Sequence, residues 1–183
     1  MNANSLFLLS MILHYGYLGI ILWSVVFPSR RIWPPLQKWT WKYVAIWGLF
    51  LGAFGADILL MLIDKSELLP IGNERYYLGA PLIVVGLLFL IWGVRSLGVE
   101  SSSGVAGEFV SSGPYKFTRN PQYLGDIFLF LGLMVISNSF RVAAGLSLLI
   151  LALLMMPLAE EPWLEEAYGD TYRKYKMTTP RFF

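Results

Sequence analysis

Five long apolar blocks restrict this chain to a lipid solvent. They cover residues 5–27, 41–63, 76–97, 121–136 and 142–159. A helix needs about 20 consecutive apolar residues to cross a bilayer, and in hydrocarbon only a helix or a closed barrel satisfies every backbone polar group. None of the blocks shows the two-residue alternation of a barrel strand. The chain therefore reads as all-α, a multi-pass membrane helical bundle with about five transmembrane helices. Charge supports this reading: 14% of residues are charged, against about a quarter in a soluble domain. The fourth block is short, rising about 24 Å as a helix. Only residues 137–141 separate it from the fifth, so the two should form an antiparallel C-terminal hairpin.

Orientation follows from lysine and arginine between the blocks. Arg30, Arg31, Lys38, Lys42, Arg95, Lys116, Arg119, Arg173, Lys174, Lys176 and Arg181 fall on one side, against Lys65, Arg75 and Arg141 on the other. The N-terminus is expected outside and the C-terminal tail in the cytoplasm, with the cell membrane favoured over an organelle membrane. The first block lacks a cationic flank and a small-residue cleavage site, so it reads as a retained helix. Trp39, Trp41, Tyr43, Tyr76, Tyr77 and Trp163 stand at block edges, where interfacial belts form. A net charge of +2 with scattered cations excludes a nucleic-acid partner, and the absence of cysteine removes thiolate chemistry and cysteine metal sites. No metal is expected.

Residues 113–126, "GPYKFTRNPQYLGD", are a polar interruption between apolar blocks. Gly113-Pro114 is turn chemistry. Asn120 is a favoured N-cap and Pro121 a favoured first helical residue, so a helix should start there with Arg119 just outside it. Tyr123 and Asp126 lie one turn apart near its mouth. The free N–H groups of such a start can hold an anion. The fifth block ends in Glu160 and Glu161, where the helix dipole disfavours negative charge; these acids want Arg119, a ligand cation or water. Pro162 is expected to open an interfacial tail helix. Its apolar face would carry Leu164, Ala167, Tyr168, Thr171 and Tyr175, and its polar face Glu165, Glu166, Asp170, Arg173 and Lys174.

"GPYKFTRNPQYLG" followed some 35 residues later by "EEPWLEEAYGDTYRKYKMTTPRF" resembles the integral-membrane methyltransferases, over roughly residues 97–183. That group includes isoprenylcysteine carboxyl methyltransferases and phosphatidylethanolamine N-methyltransferases. The resemblance implies an S-adenosylmethionine pocket closed by the last two membrane helices and the tail. Tyr115, Arg119, Asn120, Pro121 and Tyr123 would line one wall, and Glu160 and Glu161 would bind the cofactor from the other. Arg119 and Asp126 are the candidate catalytic residues. The carboxyl methyltransferases typically read Arg-His-Pro where this chain has Arg119-Asn120-Pro121, so a role resting on an imidazole is lost there. Asn-Pro and Glu-Glu-Pro resemble the phospholipid branch, whereas the Gly-Pro-Tyr start and the tail resemble the carboxyl branch. The acceptor expected is thus a lipophilic one, an isoprenylcysteine-type carboxylate or a phospholipid amine, approached from the membrane lipids. Residues 1–97 would be scaffold and substrate entrance, and residues 98–183 the cofactor-binding part.

Two polar residues fall outside these motifs. His14 is expected to pack or to hydrogen-bond between helices, and Asp57, among Gly52, Ala53, Gly55 and Ala56, suggests close helix packing as much as catalysis. Two other functions compete. "NPQYLGD" is also similar to the C-terminal part of the NADPH-dependent membrane sterol reductases, and a non-enzymatic lipid-binding scaffold would need no cofactor. Nothing in the sequence sets the oligomeric state.

Overall fold

The computed structural model describes residues 2–183. Six α-helices follow one another: α1 (Ala3–Val26), α2 (Trp41–Ile63), α3 (Glu74–Leu97), the single turn α4 (Val99–Ser102), α5 (Pro121–Ser137) and α6 (Phe140–Thr178). Among the described residues there is no strand, only an isolated bridge between Leu36 and Val105. Side-chain caps set three starts: Asn2 accepts from the Ser5 amide (2.9 Å), Thr40 from Tyr43 (3.3 Å) and Ser139 from Val142 (3.2 Å). α1, α2, α3 and α6 are each long and apolar enough to cross a membrane. α5 has 17 residues, a rise of about 25 Å.

Two halves make the bundle. α3 lies along α5, and three glycines seven residues apart permit the approach. A Cβ on Gly79 would come within 2.8 Å of the Gly132 carbonyl, one on Gly86 within 2.6 Å of the Gly125 carbonyl, and one on Gly93 within 2.6 Å of Gln122. α1, α2 and α6 form the other half around Ile21, Ile46, Leu60, Leu146 and Leu149, all buried. Phe54 of α2 meets Phe130 of α5, with ring centroids 5.4 Å apart, and joins the halves.

Inside the second half, His14 Nε2 of α1 lies 3.0 Å from Asp57 Oδ2 of α2, and the Ser10 hydroxyl donates to Asp57 Oδ1 at 2.9 Å. Gly145 of α6 leaves room for that carboxylate: a Cβ there would reach 2.8 Å from Oδ2. The packing expected of His14 and the close packing expected around Asp57 are thus one buried contact between α1 and α2, and the hydrogen bond between the helices comes from Ser10.

The α5–α6 hairpin turns on two residues. Asn138 takes the left-handed conformation (φ 48°) and its amide brackets Leu69, donating to the carbonyl (2.8 Å) and accepting from the N–H (3.0 Å). α6 does not stop at Pro162. A proline's fixed φ is helical, so losing one N–H is compatible with continuation where packing holds the segment. The break falls at Gly169 (φ 55°, ψ −130°), and it rotates the turn that follows. Tyr172 is therefore buried where a continuous helix would bury Thr171; Thr171 and Ala167 are exposed.

Candidate functional site

At the end opposite the hairpin turn, three segments converge: the α1–α2 loop, residues 98–120 and the C-terminal tail. The Leu36 amide donates to Gly104 O (2.9 Å) and the Ala106 amide to Leu36 O (3.1 Å), which ties the first two segments together. Gly113, at φ 61°, starts the turn Gly113–Lys116, and its missing Cβ would sit 2.7 Å from Ser96 Oγ. The tail is strapped across the start of α5. The Arg119 amide donates to Pro180 O (2.9 Å), while Thr118 Oγ1 and Asn120 Nδ2 both donate to Arg181 O (3.0 Å each). Asn120 thus occupies the N-cap position of α5, but its side chain makes no cap bond. The amide is used for the strap instead.

These segments enclose an open cavity of about 920 Å³, its mouth included. The walls are aromatic. Phe109 packs against Tyr168, Tyr172 and Tyr175 at centroid distances of 5.3, 6.3 and 5.4 Å. Trp33, Tyr115, Tyr123 and Trp163 line the remainder. Tyr115 accepts from Gln122 Nε2 (3.0 Å), and burial pushes its phenol pKa up, so it stays a neutral hydroxyl.

The two adjacent carboxylates face different surroundings. Glu161 Oε1 takes Arg181 Nε (2.8 Å) and Arg119 Nη1 (3.1 Å), while Oε2 takes Arg181 Nη2 (3.0 Å) and Lys176 Nζ (3.2 Å). Both of its oxygens are occupied by cations. Glu160 Oε1 accepts from Trp33 Nε1 (2.6 Å) and from the Tyr123 hydroxyl. Among the described residues no cation pairs with Glu160, and its Oε2 has no hydrogen-bond donor. Trp33 is held in turn: its amide and that of Ile32 both donate to Ser24 Oγ at 3.0 Å.

Of the residues expected at a site, Tyr115, Arg119, Asn120, Tyr123, Glu160 and Glu161 line the cavity, whereas Pro121 and Asp126 do not. Pro121 is packed into the helix start, and Asp126 lies one turn farther along α5. Trp39, Trp41 and Tyr77 are strongly exposed at helix ends, as interfacial aromatics should be, but Trp163 turns inward. Trp33 and Phe109 line the cavity without having been marked by any sequence motif, and Tyr172 lies in the tail motif but was not singled out there. The tryptophan between Arg30-Arg31 and Pro34-Pro35 was the available signal for the first.

The comparisons bear on this end of the molecule. The phospholipid methyltransferase family model matches residues 74–171, which is 98 of the 183 residues. The matched region therefore starts at α3, earlier than the motifs indicate. Phosphatidylethanolamine N-methyltransferase B of Dictyostelium discoideum is 24% identical over 118 residues, covering 60% of this chain and 59% of that protein. The aligned region thus spans less than two thirds of the relative. No solved structure matches the chain. The family match takes in α3, the polar interruption, the hairpin and both carboxylates, and on it the chain belongs to the phospholipid methyltransferase family.

Proposed function

We propose that this chain transfers a methyl group from S-adenosylmethionine to the amine of a phospholipid headgroup, at the cytoplasmic side of its membrane. The observation that carries the proposal is Glu160, a carboxylate on an aromatic-walled cavity with no cation of its own. Such a site favours positively charged ligands, since aromatic faces and a carboxylate both attract them. The donor fits this test: it carries positive charge at its sulfonium and amino groups, and Tyr115, Arg119, Tyr123 and Glu160 are the residues placed to hold it. When bound it supplies an electrophilic methyl group. The chain itself contributes alignment and a cavity from which aromatic rings exclude water.

The same charge inventory bears on the acceptor. A carboxylate substrate would need a free cation, and among the described residues the one cation lining the cavity, Arg119, is taken by Glu161 and by the Tyr172 hydroxyl (3.3 Å). An amine needs none. The cation-rich loops gather at the cavity end, which supports a cytoplasmic placement.

Purified protein should be stabilised by S-adenosylhomocysteine and not by NADPH; at 100 times the dissociation constant the gain is about 2.7 kcal/mol. Radiolabelled methyl groups should appear in vesicles containing phosphatidylethanolamine and not on prenylated cysteine. Folded protein with no response to S-adenosylhomocysteine would refute the reading.

A further inference from the structure

We propose that Glu108, backed by the rings of Phe109, Trp163 and Tyr168, receives the headgroup ammonium of the acceptor lipid; this rests on the methyl-transfer reading above. Glu108 lines the cavity and is exposed, so it stands where the cavity opens. Among the described residues nothing pairs with its carboxylate. Its backbone, in contrast, is held on both sides. The Tyr168 hydroxyl donates to the Gly107 carbonyl, and the Phe109 ring packs among Tyr168, Tyr172 and Tyr175. Ser101 comes so near that a Cβ on Gly107 would lie 2.1 Å from its hydroxyl oxygen. The segment thus presents a charge at a fixed place without committing it to an internal partner.

The surroundings select the ligand. Trp163 meets Tyr168 edge-on, with centroids 6.0 Å apart at 72°, and Tyr168 meets Phe109 at 5.3 Å. The three rings all line the cavity and form one continuous wall next to Glu108. A carboxylate and aromatic faces together attract an organic ammonium, and rings hold it whether its nitrogen carries hydrogens or methyl groups. Trp163 also sets the depth. A half-buried indole where α6 leaves its apolar block belongs at the headgroup level of a bilayer, which is where a lipid amine lies. Glu160 is the carboxylate placed for the donor, and Glu108 is tethered elsewhere. Its neighbour Tyr168 lies eight residues beyond Glu160 on α6, a rise of about 12 Å. Methyl transfer brings two cationic groups into one cavity, the sulfonium donor and the amine acceptor. The cavity offers each a carboxylate free of cations, at two separate places. Glu161 is not a third, because Arg119, Arg181 and Lys176 occupy both its oxygens.

The test compares wild type, Glu108→Gln, Glu108→Asp and Trp163→Leu on vesicles containing phosphatidylethanolamine. Two thermal-shift measurements on detergent-solubilised protein accompany it, one with S-adenosylhomocysteine and one with dihexanoyl phosphatidylethanolamine. Glu108 is exposed and has no internal partner among the described residues, so the glutamine variant should fold as wild type does. It should raise the KM for vesicle phosphatidylethanolamine about tenfold, the weight of one hydrogen bond to a charged group, with kcat little changed. The shift with the short-chain lipid should be lost and the shift with S-adenosylhomocysteine kept. Glu108→Asp should recover part of the KM, and Trp163→Leu should raise it as Glu108→Gln does. An unchanged KM in Glu108→Gln would make the residue a solvated carboxylate at the rim and overturn this proposal alone, leaving the methyl-transfer reading in place. Loss of S-adenosylhomocysteine binding in that variant would make Glu108 a donor ligand and overturn it equally. Wild-type protein that binds S-adenosylhomocysteine but methylates no vesicle amine would refute the amine reading and this proposal together.

Discussion

Replacing Glu161 by glutamine should release the C-terminal tail without unfolding the bundle. The change keeps the side chain's shape and removes one charge that three cations share. Arg119 decides the magnitude. Its side chain and that of Glu161 are each only 9% exposed, and leaving a buried charge without its partner costs about 3–5 kcal/mol. Arg181 and Lys176 are 37% and 38% exposed, so each of those contacts is worth at most about 1 kcal/mol, and Lys176 retains Glu165 at 2.8 Å. The chain has a cheaper response than global unfolding. The tail is strapped down by three hydrogen bonds to Pro180 and Arg181 carbonyls, worth together about 3 kcal/mol at roughly 1 each. Releasing them lets water reach Arg119. Glu161→Gln should therefore retain its helical circular dichroism while amide exchange in peptides spanning residues 117–121 and 176–183 accelerates at least about tenfold, equivalent to about 1.4 kcal/mol of local opening. Hydrogen exchange with mass spectrometry on nanodisc-embedded protein reads this directly. Unchanged exchange in both peptides would refute the assignment of Glu161 as the residue that fastens the tail.

Three further outcomes follow from the packing and charge described. Gly86→Ala should destabilise the protein by about 1–3 kcal/mol in detergent melts, because its Cβ meets backbone atoms of α5 at 2.6 Å, whereas Gly48→Ala, with nothing within 4 Å, should be neutral or stabilising. His14→Ala should cost about 1–3 kcal/mol by leaving the buried Asp57 carboxyl with Ser10 as its remaining polar partner, and a His14→Leu, Asp57→Leu double variant should recover much of that. Asp64, beyond the end of α2, has its pKa lowered: burial pushes it up, but hydrogen bonds from Ser139, Ser66 and the Arg141 guanidinium outweigh that. A depressed folded pKa gives stability that is complete above the unfolded value near 3.9 and is lost as pH falls through the lower folded value. Melting temperature should accordingly drop below about pH 4, and Asp64→Asn should remove that part of the acid dependence.

The helices were legible because lipid leaves the backbone few choices. The blocks read at residues 41–63 and 121–136 match α2 and α5 to within one residue, and Asn120-Pro121 marks a real start. The polar interruption and the paired acids were equally visible, since charge in such a chain is rare enough to stand out. Contacts between segments distant in sequence were not visible. Trp33 reaches Glu160 across 127 positions, and no local pattern announces such a contact. The glycine spacing at 79, 86 and 93 was readable in principle, but its partner helix was not. The face of the tail helix was misread because Gly169 looks like an ordinary helix glycine until its φ is known.

The adjacent acids show why the site could be found and its parts could not be assigned from sequence. Consecutive residues on a helix point about 100° apart, so Glu160 and Glu161 cannot serve one ligand in the same way. Both line the cavity, but each meets a different set of partners. Which is which depends on the rotation of α6 against α1 and α5, set by buried residues such as Leu146, Leu149 and Met156 that carry no chemistry. That rotation brings Glu160 to Trp33 and Tyr123, and Glu161 to Arg119 and the returning tail. Among the described residues Arg119 is the one cation lining the cavity, and its pairing with Glu161 leaves Glu160 without one. Glu161 thus keeps Glu160 available: by occupying Arg119, it leaves its neighbour on the cavity without a cation among the described residues.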